Sequence, residues 1–427
     1  MEKITGTKDI LPGEVEKYRY LENTSRKIFE VYGYNEIRTP IFESTELFSK
    51  SIGESTDIVE KEMYSFKDKS GRNITLRPEG TAPIVRSYIE NGFYKKSPFV
   101  KFYYIGQMFR AEKPQRGRYR EFNQIGVEAI GSPSPAVDAE LIEMLVSLFK
   151  NLGLTRFDIM VNSVGCDKCR LEFKDDLKSY IKTRINKLCD NCKLRINKNP
   201  MRILDCKNEG CAENLSSAPS IIDYLCEDCR THFEKVLDFL DSYSVKYTVN
   251  KNLVRGLDYY TRTVFEVVSG SIGAQNAIAA GGKYDNLIKD FGGPDTPAVG
   301  FAIGVERLLE AIESEKAEIV EPARLNVYFA TLGEDAFRKG LVLLKSLREK
   351  GISGEIDYSS RTDMVRDPSE KSLKSKMRKA NQLNAKFTVI IGDEELRKNI
   401  CVLRDMDKST QEEIKIGTDA LLYRIKQ

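Results

Sequence analysis

No stretch of this 427-residue chain approaches the roughly 18 consecutive apolar residues of a membrane span, so no crossing of a bilayer is expected. The first residues, Met1-Glu2-Lys3-Ile4-Thr5-Gly6, lack the apolar stretch of a secretory signal, and a cytoplasmic protein is expected. Net charge is also nearly absent: 67 Lys and Arg against 64 Asp and Glu leave +3, which by itself implies no partner. There is no internal repeat and no low-complexity tract. Disulfides are not expected from the nine cysteines, because the cytosol keeps thiols reduced. With 41 % apolar and 31 % charged residues, a disordered chain, a collagen and a coiled-coil rod are excluded, and the length predicts two to four domains.

What is present is unevenly placed. Eight of the nine cysteines fall between Cys166 and Cys229, and the segment from Leu325 onward carries 20 basic and 16 acidic residues. The first 150 residues mix helical periodicity (15–32 and 136–152) with strand signals at 35–42, 62–66, 74–77, 101–109 and 122–130. Pro40 lacks an amide donor and belongs at a sheet edge or a break. Successive strands with short loops predict an antiparallel sheet flanked by helices, an α+β arrangement. From 163 to 244 the chain is Lys-, Cys- and Asn-rich and helical, as an insertion would be. A strand-like stretch at 254–269 precedes a Gly/Ala-rich turn at 279–282 and an apolar helix at 305–312. A charged segment at 314–324 reads as a linker, followed by a compact α/β domain with strands at 325–330, 354–358, 387–392 and 401–405 and helices at 335–350 and 371–383.

The densest chemistry is at Met108-Phe109-Arg110-Ala111-Glu112 and the loop after it, which holds Lys113, Arg116, Arg118 and Arg120. A charge run usually marks a solvated hairpin. Here Arg110 lies in an apolar strand, where a lone charge is costly without an anionic partner, and guanidinium forks suit phosphate oxygens.

These residues resemble motif 2 of class II aminoacyl-tRNA synthetases, with Arg118-Tyr119-Arg120-Glu121-Phe122 completing it. The strand ending at Pro40 resembles motif 1, and Gly300-Phe301-Ala302-Ile303-Gly304-Val305-Glu306-Arg307-Leu308 resembles motif 3. Arg255-Gly256-Leu257-Asp258-Tyr259-Tyr260-Thr261-Arg262-Thr263-Val264-Phe265-Glu266 resembles the first signature peptide of the histidyl-tRNA synthetases, bacterial type. Ala280-Gly281-Gly282-Lys283-Tyr284-Asp285 resembles the second, with Ala280 and Lys283 where Gly and Arg are common. Thr5-Gly6-Thr7-Lys8-Asp9 and Leu76-Arg77-Pro78-Glu79-Gly80-Thr81 fit the same family, so the likeness covers nearly the whole chain.

The resemblance implies an antiparallel six- or seven-stranded class II sheet, with a catalytic core at 1–162 and 245–318, a helical Cys-rich insertion at 163–244 and an anticodon-binding domain at 325–427. It implies activation of L-histidine by ATP to histidyl-adenylate, with release of pyrophosphate and Mg²⁺ on the phosphates, then transfer to the 3' end of tRNA(His) by a homodimer. Carried over residue by residue, Arg110 and Arg255 contact the α-phosphate and carboxylate, and Arg118 the γ-phosphate. Glu112 belongs to the ATP site, where Phe122 and Arg307 sandwich the adenine. Glu79, Thr81 and Gln124 bind the α-amino group, Glu128 and Tyr260 read the imidazole, and Tyr259 and Tyr284 line the pocket. An imidazole offers one donor and one acceptor, which a carboxylate and a phenol complement.

Two features stay open at this level. Cys166-x₂-Cys169, Cys189-x₂-Cys192, Cys206-x₄-Cys211 and Cys226-x₂-Cys229 have the pair spacings of structural zinc, so two Cys₄ sites are arithmetically available; equally, small cysteines can pack in a helical insertion whose core is built on Leu171, Phe173, Leu177 and Ile181. Any such metal is expected to lie away from Arg110 and Arg255. His232, the sole histidine, follows three residues after the last cysteine. Lys371, Lys374, Lys376, Arg378, Lys379 and Lys386 are expected to face outward from a basic helix, as a solvated face or against tRNA phosphates. The competing functions are a histidine-sensing regulatory subunit and an uncharged-tRNA sensor module of a kinase. The first typically lacks the first signature peptide and the C-terminal domain, and nothing here resembles a kinase.

Overall fold

A computed structural model describes residues 1–53, 56, 58–206, 208–272, 276–315, 324–358 and 373–426. The linker expected at 314–324 lies mostly outside these residues, as does Lys371. The chain forms two units, Met1–Glu321 and Pro322–Gln427.

The strands of the first unit are β1 (Asn35–Glu36), β2 (Phe42–Ser44), β3 (Ser65–Lys67), β4 (Asn73–Leu76), β5 (Val100–Phe109), β6 (Glu121–Ile130), β7 (Asp158–Ser163), β8 (Thr248–Val249), β9 (Thr261–Val268), β10 (Ala277–Lys283) and β11 (Ala298–Gly304). Eight of them make one sheet in the order β1-β5-β6-β11-β10-β9-β7-β8, and β2-β4-β3 make a small second one. The six central strands run antiparallel, as expected, while the short edge strands β1 and β8 pair parallel to β5 and β7. The strand signal at 35–42 is divided around Pro40, and its two halves join different sheets. The stretch at 279–282, read from composition as a turn, is instead the middle of β10. Its small residues reflect crowding between strands: a Cβ on Gly282 would stand 2.6 Å from the Thr263 carbonyl oxygen. Alanine and glycine there look like a turn only when the neighbouring strands are invisible. The strand expected from 254 begins at Thr261, and the residues before it loop into a cleft.

The helix Pro135–Asn151 covers the sheet. Ser134 caps it by accepting from the Ala136 amide at 3.3 Å, and Pro135 occupies the first turn, where its missing donor costs nothing. Leu141, Ile142, Leu145, Leu148 and Phe149 are all fully buried in one core with the strands. The helix Glu227–Ser242 contributes Phe233, Val236 and Leu240 to the same core, so the last helix of the Cys-rich segment packs as part of the sheet's own cover. Beneath it, Asp138 bonds His232 Nε2 at 2.8 Å and pairs with Lys283 at 3.7 Å, with all three side chains buried. The sole histidine thus serves this buried network.

The second unit has β12 (Val327–Thr331), β13 (Gly354–Ile356), β14 (Phe387–Ile391), β15 (Ile400–Asp405) and β16 (Gln411–Lys415), in the order β13-β12-β14-β15-β16. β16 carried no apolar signal, because its residues are mostly exposed. In the helix Leu373–Gln382, Lys374, Arg378 and Lys379 are exposed as expected, but Lys376 is buried and pairs with Asp357 at 3.5 Å. The helical face containing Ala380 also takes Lys376, since four residues bring the two onto one side.

Asp138→Ala should leave the buried His232 without its carboxylate and Lys283 with only Asp285, 3.5 Å away. Loss of one partner of a buried ionic network costs roughly 3–5 kcal/mol. Urea denaturation should show a loss of that order; a change within 0.5 kcal/mol, the usual effect of a surface substitution, would refute the role.

Candidate functional site

The sheet register brings the distant motifs together. β5 and β6 form a hairpin whose loop carries Arg110, Glu112 and Arg118; β9, β10 and β11 follow across the sheet. Over them lies a cleft of about 840 Å³ lined by Glu79, Thr81, Arg110, Glu112, Arg118, Phe122, Gln124, Arg255, Tyr259, Tyr260, Tyr284 and Arg307, among others. Every residue singled out above as a site residue in the core lines this cleft, except Glu128, which is 1 % exposed. It reaches the cleft through two residues that do line it: Thr81 Oγ1 donates to its carboxylate at 2.7 Å, and the Tyr284 hydroxyl donates to the other oxygen. Burial pushes the Glu128 carboxyl up to about 8, against the favourable hydrogen bonds from Tyr284 and Thr81. Gly300 of β11 makes room for it, since a Cβ there would collide with the carboxylate. Tyr259 packs against Tyr260 and Tyr284, with ring centroids 4.7 and 5.7 Å apart.

Glu79 is also buried. Its two oxygens accept from the amides of Thr81 at 2.6 Å and Ala82 at 2.8 Å, at the start of the helix Thr81–Glu90. Burial raises its pKa, and those amides and Arg110 oppose the rise.

The cationic side of the cleft is held by partners. Arg110 Nε donates to the Pro78 carbonyl at 2.9 Å while its guanidinium sits 5.2 Å from the Phe122 ring centroid. Arg118 pairs with Glu112 at 2.9 Å, and Arg255 with Glu266 at 2.7 Å. Arg307 donates to the Ala277 carbonyl at 2.7 Å, and burial together with the nearby Arg118 lowers its pKa to about 10. A half-buried guanidinium with a second cation nearby makes a site that an anion relieves.

Several lining residues had been given no role by the sequence reading. Glu266 lies within the first signature peptide and holds Arg255. Glu306 precedes Arg307 and accepts from both the amide and the side chain of Asn123 at 2.9 Å, which fixes the strand next to Phe122. Arg202 and Asp205 belong to the Cys-rich segment; their signal was absent because nothing local says which way the insertion folds. Cys189 and Cys206 line the same cleft as Arg110 and Arg255, so part of the cysteine cluster stands nearer the candidate site than expected.

The sequence model described as histidyl-tRNA synthetase matches residues 6–308, and one described as anticodon binding domain matches 326–420. The chain belongs to the histidyl-tRNA synthetase family. It is 49 % identical over 412 residues to a histidine–tRNA ligase of Halothermothrix orenii, covering 96 % of each chain. It is 48 % identical to one of Desulforamulus reducens, covering 99 % of this chain and 98 % of that one. The crystal structure of the apo histidyl-tRNA synthetase of S. aureus superposes with a TM-score of 0.82, at 39 % identity and full coverage of both chains. As a histidyl-tRNA synthetase, the chain is an aminoacyl-tRNA ligase whose substrates are ATP, histidine and tRNA. Presence of both domains of the family excludes the truncated sensor architecture.

The raised Glu128 pKa has a stability consequence. An unfolded chain releases this proton near 4.5, while the folded one keeps it until about 8. The contribution is therefore whole below 4.5 and lost as pH rises through 8. Urea midpoints at pH 5 and pH 8 should show Glu128→Gln gaining on the parent as pH rises; parallel pH profiles would contradict the assignment.

Proposed function

We propose that the cleft carries out histidine adenylation with the residues in the following roles. Glu128 accepts from one imidazole nitrogen and Tyr260 donates to the other. Glu79, Thr81 and Gln124 hold the α-ammonium group, for which each Glu79 oxygen retains a lone pair beyond its helix amide. Tyr259 and Tyr284 wall the ring. Arg110 and Arg255 bind the histidine carboxylate and the α-phosphate, Arg118 binds the γ-phosphate, Glu112 fixes Arg118, and Phe122 with Arg307 encloses the adenine by stacking and cation–π contact. Mg²⁺ on the polyphosphate would find hard oxygen donors in the Glu112 and Glu266 carboxylates that line the cleft.

The observation that carries this reading is the convergence of four arginines on one cleft whose other end is the buried Glu128–Thr81–Tyr284 cluster. The carboxylate attacks the α-phosphorus in line, pyrophosphate departs, and negative charge grows on the nonbridging oxygens. Guanidinium groups already fixed by Glu112, Glu266 and the Pro78 carbonyl stabilise that charge without moving protons. The 326–420 domain then holds the anticodon arm of tRNA(His), with the exposed Lys374, Arg378 and Lys379 against its phosphates. The setting is the cytoplasm; among the described residues no helix is long and apolar enough to cross a membrane.

A homodimer belongs to the same reading. On the β2-β4-β3 sheet, the register puts Phe42, Leu76, Ile74 and Phe66 on one face, and Phe42 and Phe66 are 56 % and 50 % exposed. A contiguous apolar face next to the Pro40 segment fits a second copy of this chain. Sedimentation should find dimers at micromolar concentration, and Phe42→Glu should shift them to monomers; a monomeric parent protein would refute it.

Arg255→Ala should lower histidine-dependent ATP–pyrophosphate exchange by about 10²–10³-fold, the usual loss for one donor to developing charge. Exchange within a few-fold of the parent would rule out its role.

Deletion from residue 325 onward should spare exchange and cripple tRNA charging. Charging as efficient as that of the full chain would refute the division between the two units.

A further inference from the structure

The eight clustered cysteines have no part in the reaction just described. They fold into two groups, Cys166, Cys169, Cys226 and Cys229 in one and Cys189, Cys192, Cys206 and Cys211 in the other. Within each group the sulfurs all lie within 4.8 Å of one another. The first pair of the sequence meets the last, and the second meets the third. The Cys166–Cys169, Cys166–Cys226 and Cys189–Cys206 sulfurs stand 3.6, 3.9 and 3.8 Å apart. A disulfide would need about 2.05 Å. Four thiolates on a tetrahedral zinc, each about 2.3 Å from the metal, stand about 3.8 Å from one another.

The surroundings favour thiolates. Cys166, Cys189 and Cys226 are the N-caps of the helices Asp167–Lys182, Asp190–Lys198 and Glu227–Ser242, where the helix dipole stabilises negative sulfur. The Cys226 amide donates to Cys169 Sγ at 3.2 Å, and the Cys189 amide to Cys211 Sγ at 3.1 Å, outer contacts of the kind that orient metal ligands. Two cysteines of each group are buried and two are half-buried, and four sulfurs fill a tetrahedral shell with no open position.

Two short helices of the insertion bury little besides their cysteines. The helix Asp190–Lys198 buries only Cys192 and Ile196, and the helix Glu209–Leu215 only Cys211 and Leu215. Leu171, counted in the sequence reading as core, is 72 % exposed, although Phe173, Leu177 and Ile181 are buried. Segments with so few buried side chains need a staple.

We propose that each chain holds two structural zinc ions, one at each Cys₄ group, with different jobs. The Cys166/Cys169/Cys226/Cys229 ion ties the first helix of the insertion to its last and so closes its root. The Cys189/Cys192/Cys206/Cys211 ion lies at the edge of the cleft, where Cys189, Cys206, Arg202 and Asp205 line the wall. Arg202 donates to the Gly256 carbonyl at 2.9 Å, and Asn199 to Asp258 at 2.7 Å, so this ion braces the segment that presents Arg255. That second job rests on reading the cleft as the adenylation site; the metal content does not.

Elemental analysis of the full chain purified without added metal decides the first point. Two zinc per chain is expected, falling to one in Cys166→Ser/Cys226→Ser and to one in Cys189→Ser/Cys206→Ser. Zero or one zinc in the parent protein, or iron in its place, overturns the proposal. Should a variant fail to fold, cobalt exchanged into the parent protein gives the same answer: tetrahedral thiolate absorption must titrate to two equivalents, and saturation below two overturns it. With stoichiometry settled, Cys189→Ser/Cys206→Ser should raise the histidine requirement for exchange at least several-fold more than Cys166→Ser/Cys226→Ser. Equal effects would leave two ions in place but refute the bracing of the cleft.

Discussion

A single carboxyl buried beneath the cleft organises the substrate end of this molecule. Glu128 sits on the central strand β6, out of reach of water, and such a group in a low-dielectric surround either gains partners or keeps its proton. Thr81 comes to it from the start of one helix, Tyr284 from the end of β10, and Gly300 on β11 leaves the space it occupies. Three separated stretches of sequence are thus pinned to one point, and the pocket wall is built from what pins them. A site assembled on hydrogen bonds to a ring can reject analogues lacking those groups by about 10⁴-fold or more. On the reading proposed above, selectivity for histidine and the local architecture are in this sense the same interaction.

The phosphate end follows the opposite logic. There the half-buried groups are cations, and each is fixed by a carboxylate or carbonyl before any substrate arrives. Glu112 holds Arg118, Glu266 holds Arg255, and the Pro78 carbonyl holds Arg110. Such preorganisation matters because charge that need not reorient during reaction stabilises a transition state more than it stabilises the ground state. Burial, with Arg118 nearby, lowers the pKa of Arg307, and on the reading proposed above the ATP polyphosphate is the polyanion that relieves it.

Much of this was legible in the sequence, and the rest failed for identifiable reasons. Arg110, Arg255 and the glycines of the signature peptides stand in local strings, so they could be found without a structure. The central helix 136–152 announced itself by periodicity, and its boundaries moved by one residue. β10 was misread because glycine and alanine report crowding by neighbouring strands, which only the sheet order reveals. Lys376 was placed outward because a charge run hides the one member that finds a buried acid. The cysteine pairs were visible, but their nested pairing and the approach of Cys189 and Cys206 to the cleft depend on the path of the insertion, and no local pattern encodes that path. Glu266 and Glu306 were present in quoted motifs but unassigned, since holding a neighbour leaves no mark in composition.

The account's central claim is that Glu128 accepts a hydrogen bond from the bound imidazole. Its carboxyl, at about 8 in the empty protein, must then give up its proton when histidine binds. Calorimetric titration of histidine at pH 7.5, repeated in buffers of different ionisation enthalpy, measures this directly. The account predicts release of a substantial fraction of one proton per site. Binding with no proton released, or with proton uptake, would contradict it.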